Sequence, residues 1–175
     1  MTEIELLRFL YKQRMEYRMI QQARDLSDDP KTRITEVLEI SETVFNDRPV
    51  MAIVSTSQAI LESGLANPNG ISQLALLNNL FGIKGEGTDG TSQMNTTEFI
   101  NGREVTVSAG FAINTTLRDS FMQYRELMYH PRYEDVLNAK TVDTAFDALQ
   151  DSGYATDYNY TDKLRAIKDR YLSNV

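Results

Sequence analysis

Between Pro49 and Gly64 the chain reads Val50, Met51, Ala52, Ile53, Val54, Ser55, Thr56, Ser57, Gln58, Ala59, Ile60, Leu61, Glu62, Ser63. A helix over Val50 to Ser63 is apolar or small on nearly every side, and such a helix belongs in the middle of a domain. One carboxylate, Glu62, sits near its end, with a glycine two residues later. A carboxylate at the wall of a core is costly unless it is paired or used. The remaining elements are therefore read for what could pair with that side chain or use it.

Composition narrows the chemistry available to it. With 175 residues, 41% of them hydrophobic, the chain can bury one good core, so one domain with an appended helix is expected. A net charge of −7 argues against sequence-independent nucleic-acid binding and against adsorption to membranes through basic residues. There are no cysteines, which excludes disulfides and thiolate metal sites, and the one histidine, His130, argues against a Ser-His-Asp triad or a multi-histidine metal centre. No metal and no cofactor are expected. Catalysis must come from carboxylates, amides, hydroxyls and aromatics. Neither a secretory signal nor a membrane-spanning stretch is read in the sequence.

Hydrophobic periodicity predicts the other elements. Residues 2–26 form an amphipathic stripe of Ile4, Leu7, Tyr11, Met15, Met19, Ala23 and Leu26 that needs a partner. Packing on the domain core is the favoured reading, with a docking or self-association helix as the alternative. Asp29 and Pro30 read as the N-cap and first residue of a helix to about Phe45. Its inward face is Ile34, Val37, Leu38, Ser41, Val44 and Phe45. A short helix is expected from Ile71 to Leu77. Then Met94 to Ile100, Asn101-Gly102 and Arg103 to Ser108 make a hairpin signature, whose first strand carries a second carboxylate, Glu98. Helices are predicted over Thr116–Tyr129, Tyr133–Asn138, Val142–Gln150 and about Asn159–Leu172, with an aromatic-dense loop at Ser152–Tyr160. His130 reads as structural.

Several of these segments together resemble one known family. Gln58-Ala59-Ile60-Leu61-Glu62-Ser63-Gly64, then Ser72-x-Leu74-Ala75, then Asn78-Asn79-Leu80-Phe81-Gly82-Ile83-Lys84-Gly85 are similar to the peptidoglycan N-acetylglucosaminidases of glycoside hydrolase family 73. Thr97-Glu98-Phe99-Ile100-Asn101-Gly102 with Val105-Thr106-Val107 resembles that family's hairpin, and Gly153-Tyr154-Ala155-Thr156-Asp157 with Tyr160 its C-terminal aromatic motif. The motifs occur in family order over about Val50 to Leu172. The resemblance implies a mainly α (α+β) architecture: a lysozyme-like helical domain with a small β-hairpin lobe, here with an extra N-terminal helix. Residues 1–29 are accordingly expected to be an extension and 30–175 the catalytic domain.

It further implies that Glu62 is the general acid, a role suited to a glutamate whose neutral form is favoured by apolar surroundings. Taken without the other motifs, Glu62 reads more readily as a structural carboxylate capping the next turn; with them, catalysis is the favoured reading. Glu98 matches the second carboxylate, and Tyr154 is a third catalytic candidate. Carboxylates roughly 6.5–9.5 Å apart would leave room for a water and inversion, whereas about 5 Å would imply a covalent intermediate. A third scheme has the substrate's own acetamido group attack, supported by Tyr154 or Asp157. The inverting and substrate-assisted schemes rank above the covalent one. Phe81 is an expected sugar-contacting aromatic, with Asn79, Ser63 and Asp157 as further substrate contacts. The chain departs from the family pattern at Leu65, where an aromatic is common, at Phe111-Ala112-Ile113-Asn114, which lacks an arginine and a tyrosine, and at Tyr158, which replaces a proline.

The expected function is hydrolysis of the β-1,4 bond between N-acetylglucosamine and N-acetylmuramic acid in peptidoglycan strands. A lytic transglycosylase of related fold and a non-catalytic wall-binding virion protein are the alternatives. The expected setting is a bacteriophage particle or lysis system that delivers a cytoplasmically made protein to the wall, with residues 2–26 as a virion-attachment or self-association element.

Overall fold

The computed structural model describes residues 2–10, 12–14, 26–100 and 102–173. Helical backbone covers residues 3–10, termed α1, and residues 12–14. Pro30–Val44 is α2, and its start is capped as the sequence suggests: the Asp29 carboxylate accepts the Thr32 N–H at 2.8 Å. Pro49–Ser63 is α3. It stops at Gly64, whose left-handed φ of 70° a residue with a side chain rarely adopts. The chain then returns so that the Ser72 N–H donates to the Ser63 carbonyl at 2.9 Å.

The next helix, α4, covers only Gln73–Leu76, because Ser72 caps it at the Ala75 N–H and the chain turns out at Leu77. Strands β1 (Thr91–Ile100) and β2 (Arg103–Ala112) form one antiparallel ribbon with Ile100 opposite Arg103 and Thr91 opposite Ala112. Both strands run further toward the body than the alternation predicts. At that end the segment 83–85 pairs with β2: the Ala112 N–H donates to the Ile83 carbonyl and the Gly85 N–H to the Gly110 carbonyl, each at 2.9 Å. The remainder is helical: α5 (Leu117–Met128), a 3-10 turn at Pro131–Tyr133, α6 (Glu134–Asn138), α7 (Val142–Asp151) and α8 (Tyr160–Tyr171). Thr116 and Asp119 cap α5 reciprocally. His130 caps the 3-10 turn with its ring nitrogen, a structural role.

Helix α3 lies at the centre, in contact with α2, α7 and α8, while α2 also packs on α5. Small residues set the closest approach: the Ser41 and Ser55 hydroxyls meet at 2.6 Å between α2 and α3, and Ser41 donates to the Ala52 carbonyl. Around this seam Phe45, Val54, Ala59, Leu65, Phe121, Phe146, Leu149 and Leu164 are fully buried. Arg33 joins them. Its guanidinium, on the same α2 face one turn before Val37, donates to four carbonyls: Leu65 at 3.1 Å, Ser27 at 2.9 Å, Asp28 at 3.0 Å and Asn67 at 2.7 Å. This buried arginine ties the start of α2 to the loop that leaves α3.

At its N-terminal end the stripe does not pack on the core as favoured: Ile4 and Leu7 are exposed, as are Leu6, Phe9 and Leu10. Tyr11, Met15, Met19 and Ala23 lie outside the described residues, and Leu26 is buried. Among the described residues no helix is long and apolar enough to cross a membrane, and no group of three His, Cys, Asp or Glu is placed to hold a metal ion.

Candidate active site

A cleft of about 880 Å³ opens between the helical body and the ribbon. The helical body contributes Glu62 from the last turn of α3, the ribbon contributes Glu98, and Tyr154 and Asp157 come from the loop before α8. Phe81 and Lys84 form part of its wall.

Glu62 is exposed to the cleft, and its Oε1 accepts the Tyr160 hydroxyl at 2.8 Å. Burial raises its pKa above the ordinary glutamate range, while the Tyr160 hydrogen bond and the Lys163 charge pull it partly back. The net effect is a carboxyl group that holds its proton more tightly than a solvated one. Behind it the polar chain continues inward. The Gln58 Nε2 donates to the Tyr160 oxygen at 2.9 Å, and the Tyr124 hydroxyl donates to Gln58 Oε1. Gln58 and Tyr124 are fully buried and Tyr160 nearly so.

Glu98 faces the cleft from β1 and its Oε1 is ion-paired with Lys84. The Tyr154 ring meets Tyr133 and Tyr160, each at 5.9 Å between centroids. Burial and the nearby Glu62 charge push the Tyr154 hydroxyl pKa well up, so it stays a neutral donor. Asp157 forms an ion pair with Lys163 at 2.5 Å and accepts the Asn159 N–H at 2.9 Å, which together hold its pKa below the usual carboxylate range.

Five of the sequence-derived candidates thus line one cleft: Glu62, Glu98, Tyr154, Phe81 and Asp157. Phe81 does so while also belonging to the core. It stacks on Tyr124 at 4.3 Å, lies edge-on to Phe121 at 5.1 Å, and is only 5% exposed. Ser63 and Asn79 have other partners. Ser63 is buried and its hydroxyl donates to the Ala59 carbonyl one turn back. The Asn79 side chain donates to the Ile83 and Ala112 carbonyls and accepts the Ile83 N–H, so its amide secures the base of the ribbon.

Sequence reasoning did not single out Gln58, Tyr160, Lys84 and Lys163 as functional residues. One signal was available for Gln58, because it stands four residues before Glu62 and therefore on the same face of an otherwise apolar helix.

A two-lobed helical domain with a glutamate on a central helix and a second on a ribbon matches known proteins at this point. The glucosaminidase family model, described as mannosyl-glycoprotein endo-beta-N-acetylglucosaminidase, matches residues 41–173. The chain belongs to this family, glycoside hydrolase family 73. It is 33% identical over 151 residues to the exo-glucosaminidase LytG of Bacillus subtilis, a match covering 82% of this chain and 52% of LytG. This chain therefore spans about half the length of that relative. Among solved structures, the catalytic domain of the autolysin Auto from Listeria monocytogenes superimposes with a TM-score of 0.70 at 28% identity, covering 82% of this chain and 84% of that one. The truncated glycoside hydrolase domain of FlgJ from Salmonella typhimurium does so with a TM-score of 0.62 at 29% identity, covering 81% and 97%. The mainly helical fold with a small two-stranded lobe, expected from the motifs, is the fold observed.

Proposed function

We propose that this chain is a peptidoglycan hydrolase that cleaves the β-1,4 bond between N-acetylglucosamine and N-acetylmuramic acid, with Glu62 as general acid. The observation that carries the proposal is Glu62 itself, solvent-accessible at the cleft yet with its pKa raised by desolvation, facing the same cleft as Glu98. In the reaction the Glu62 proton passes to the glycosidic oxygen as the bond from the anomeric carbon breaks and its electron pair moves to that oxygen. Water supplies the hydroxyl that ends on the anomeric carbon. Glu98, in the cleft lining, is the second carboxylate and accepts the proton of that water. In the substrate-assisted variant the acetamido oxygen attacks first and Tyr154 supports it. Tyr154 and the edge of Phe81 form the apolar wall against which a pyranose packs, and Asp157 lies along the same wall.

The test is digestion of purified peptidoglycan sacculi by the chain and by its Glu62→Gln and Glu98→Gln variants, with products identified by mass spectrometry. Reducing N-acetylglucosamine ends, absent with Glu62→Gln, support the assignment. Anhydro-muramic ends would instead make the chain a lytic transglycosylase, and undiminished cleavage by Glu62→Gln would sink the acid role. The anomer released first, read by proton NMR, separates inversion from acetamido attack. Attachment to a virion or to a second copy through residues 2–26, and delivery to the wall by a virion or lysis system, are proposed separately. The exposed Ile4, Leu6, Leu7, Phe9 and Leu10 support the attachment.

A further inference from the structure

The buried chain of hydrogen bonds behind Glu62 has a direction, and the direction has a chemical consequence. A carboxamide has one accepting end and one donating end. Tyr124 donates to Gln58 Oε1, so Gln58 presents its Nε2 hydrogens to the Tyr160 oxygen. The Tyr160 proton is then free for Glu62 Oε1. Were the amide reversed, Tyr160 would give its proton to Gln58, and two bare acceptors would face each other whenever Glu62 is ionised. Such a pairing inside a protein is costly.

From this geometry we infer that Tyr160, oriented by Gln58 and Tyr124, is a positioning residue that fixes Oε2 as the Glu62 oxygen carrying the acid proton. The inference rests on the reading of Glu62 as the acid. A proton on Oε1 would point at the Tyr160 hydroxyl hydrogen, so the protonated acid carries it on Oε2. Among the described residues, Oε2 accepts no hydrogen bond, which leaves it to the substrate.

When the O–H bond at Oε2 breaks, the proton goes to the leaving glycosidic oxygen and the electron pair stays on the carboxylate. The new charge is shared with Oε1, where the Tyr160 hydrogen bond becomes charge-assisted and shortens. The bond is therefore stronger in the transition state than with the neutral acid, and its loss falls on kcat. Tyr160 and Lys163 face Glu62 from α8 and Tyr154 from the preceding loop. Lys84, Glu98 and Asp157 line the same cleft. None of these duplicates the phenol's contact with Oε1.

The experiment is the pH dependence of kcat and KM on sacculi or a soluble glycan-chain fragment for the full chain and for Tyr160→Phe, which keeps the ring and removes the hydroxyl. The expected result is a loss of roughly tenfold or more in kcat with KM within about twofold. The basic limb should also move up by about half a pH unit or more, because the ionised Glu62 loses a donor. A fall in kcat without that movement reduces Tyr160 to packing and overturns the inference, as does unchanged kcat.

If Tyr160→Phe does not fold, as judged by its circular dichroism, Tyr124→Phe takes its place. It frees the Gln58 amide to turn, and the basic limb should move in the same direction by less. An unmoved limb in that variant overturns the inference. Retained activity in Glu62→Gln would instead remove the acid assignment beneath it, so the two failures are told apart.

Discussion

Arg33→Met is the sharpest test of how the helical body holds its active-site helix. Methionine keeps an apolar stem of similar length, so the packing survives while all four hydrogen bonds of the guanidinium are lost. The acceptors are not equivalent. The bond to the Leu65 carbonyl is buried, and leaving that oxygen without a donor costs about 1–3 kcal/mol. The carbonyls of Ser27, Asp28 and Asn67 lie in partly buried bonds and regain water, so each loss there is smaller. A total of about 3–5 kcal/mol follows, from which a domain of this size should melt lower by roughly 10 °C.

Arg33→Lys should fall between, because a compact ammonium cannot reach across the same fork of carbonyls. The assay is thermal unfolding followed by circular dichroism, with urea titration as a second probe. A loss of less than about 3 °C for Arg33→Met would refute the reasoning, since it would mean that the carbonyls are satisfied without the arginine.

Two further outcomes follow from the same geometry. Because the Glu62 pKa is raised in the folded state, the folded chain binds this proton more tightly than the unfolded one. Stability is therefore lost as pH rises from the ordinary glutamate pKa of about 4.3 through the raised value. Glu62→Gln should accordingly melt higher than the parent at pH 7 and equal to it near about pH 3, and a melting difference independent of pH would contradict this. Gly87→Ala should destabilise by about 1–3 kcal/mol or more in urea unfolding, because its methyl would lie 2.2 Å from the Ile113 carbonyl oxygen and 2.8 Å from Asn114 Oδ1; a neutral result would show that the 113–114 backbone yields freely.

Local features of the fold were legible because their signals are local. Asp29 and Pro30 start a helix and Asn101-Gly102 joins two β-rich runs through rules that act over a few residues. Glu62 stood out because a single charge on an apolar helix is anomalous wherever the helix packs. What escaped depends on which helices meet. Arg33 looks like one more solvated charge until the 65–67 loop closes over it. Tyr124, Gln58 and Tyr160 come from α5, α3 and α8, and no spacing in the sequence connects them. Asn79 and Ser63 show the opposite case. They neighbour the right residues in sequence, but their side chains turn into the scaffold.

The ion pair between Lys84 and Glu98 says something about shape. Lys84 bridges to Phe111, which pairs with Ser92, so it belongs to the root of the ribbon. Glu98 stands six residues further out along β1, about 20 Å away on a straight strand. Two side chains cannot close that gap, so the ribbon must arch back over the cleft to bring Glu98 within reach. An ion pair this open to solvent is worth at most about 1 kcal/mol, too little to bend ten paired rows of backbone. Two-stranded ribbons twist strongly of themselves, and at the root of this one Gly110 leaves room for the Thr91 side chain, which an added Cβ would meet at 2.8 Å. The pair therefore registers the arch without causing it, and Glu98 reaches the cleft through the shape of the backbone and not through the pull of Lys84.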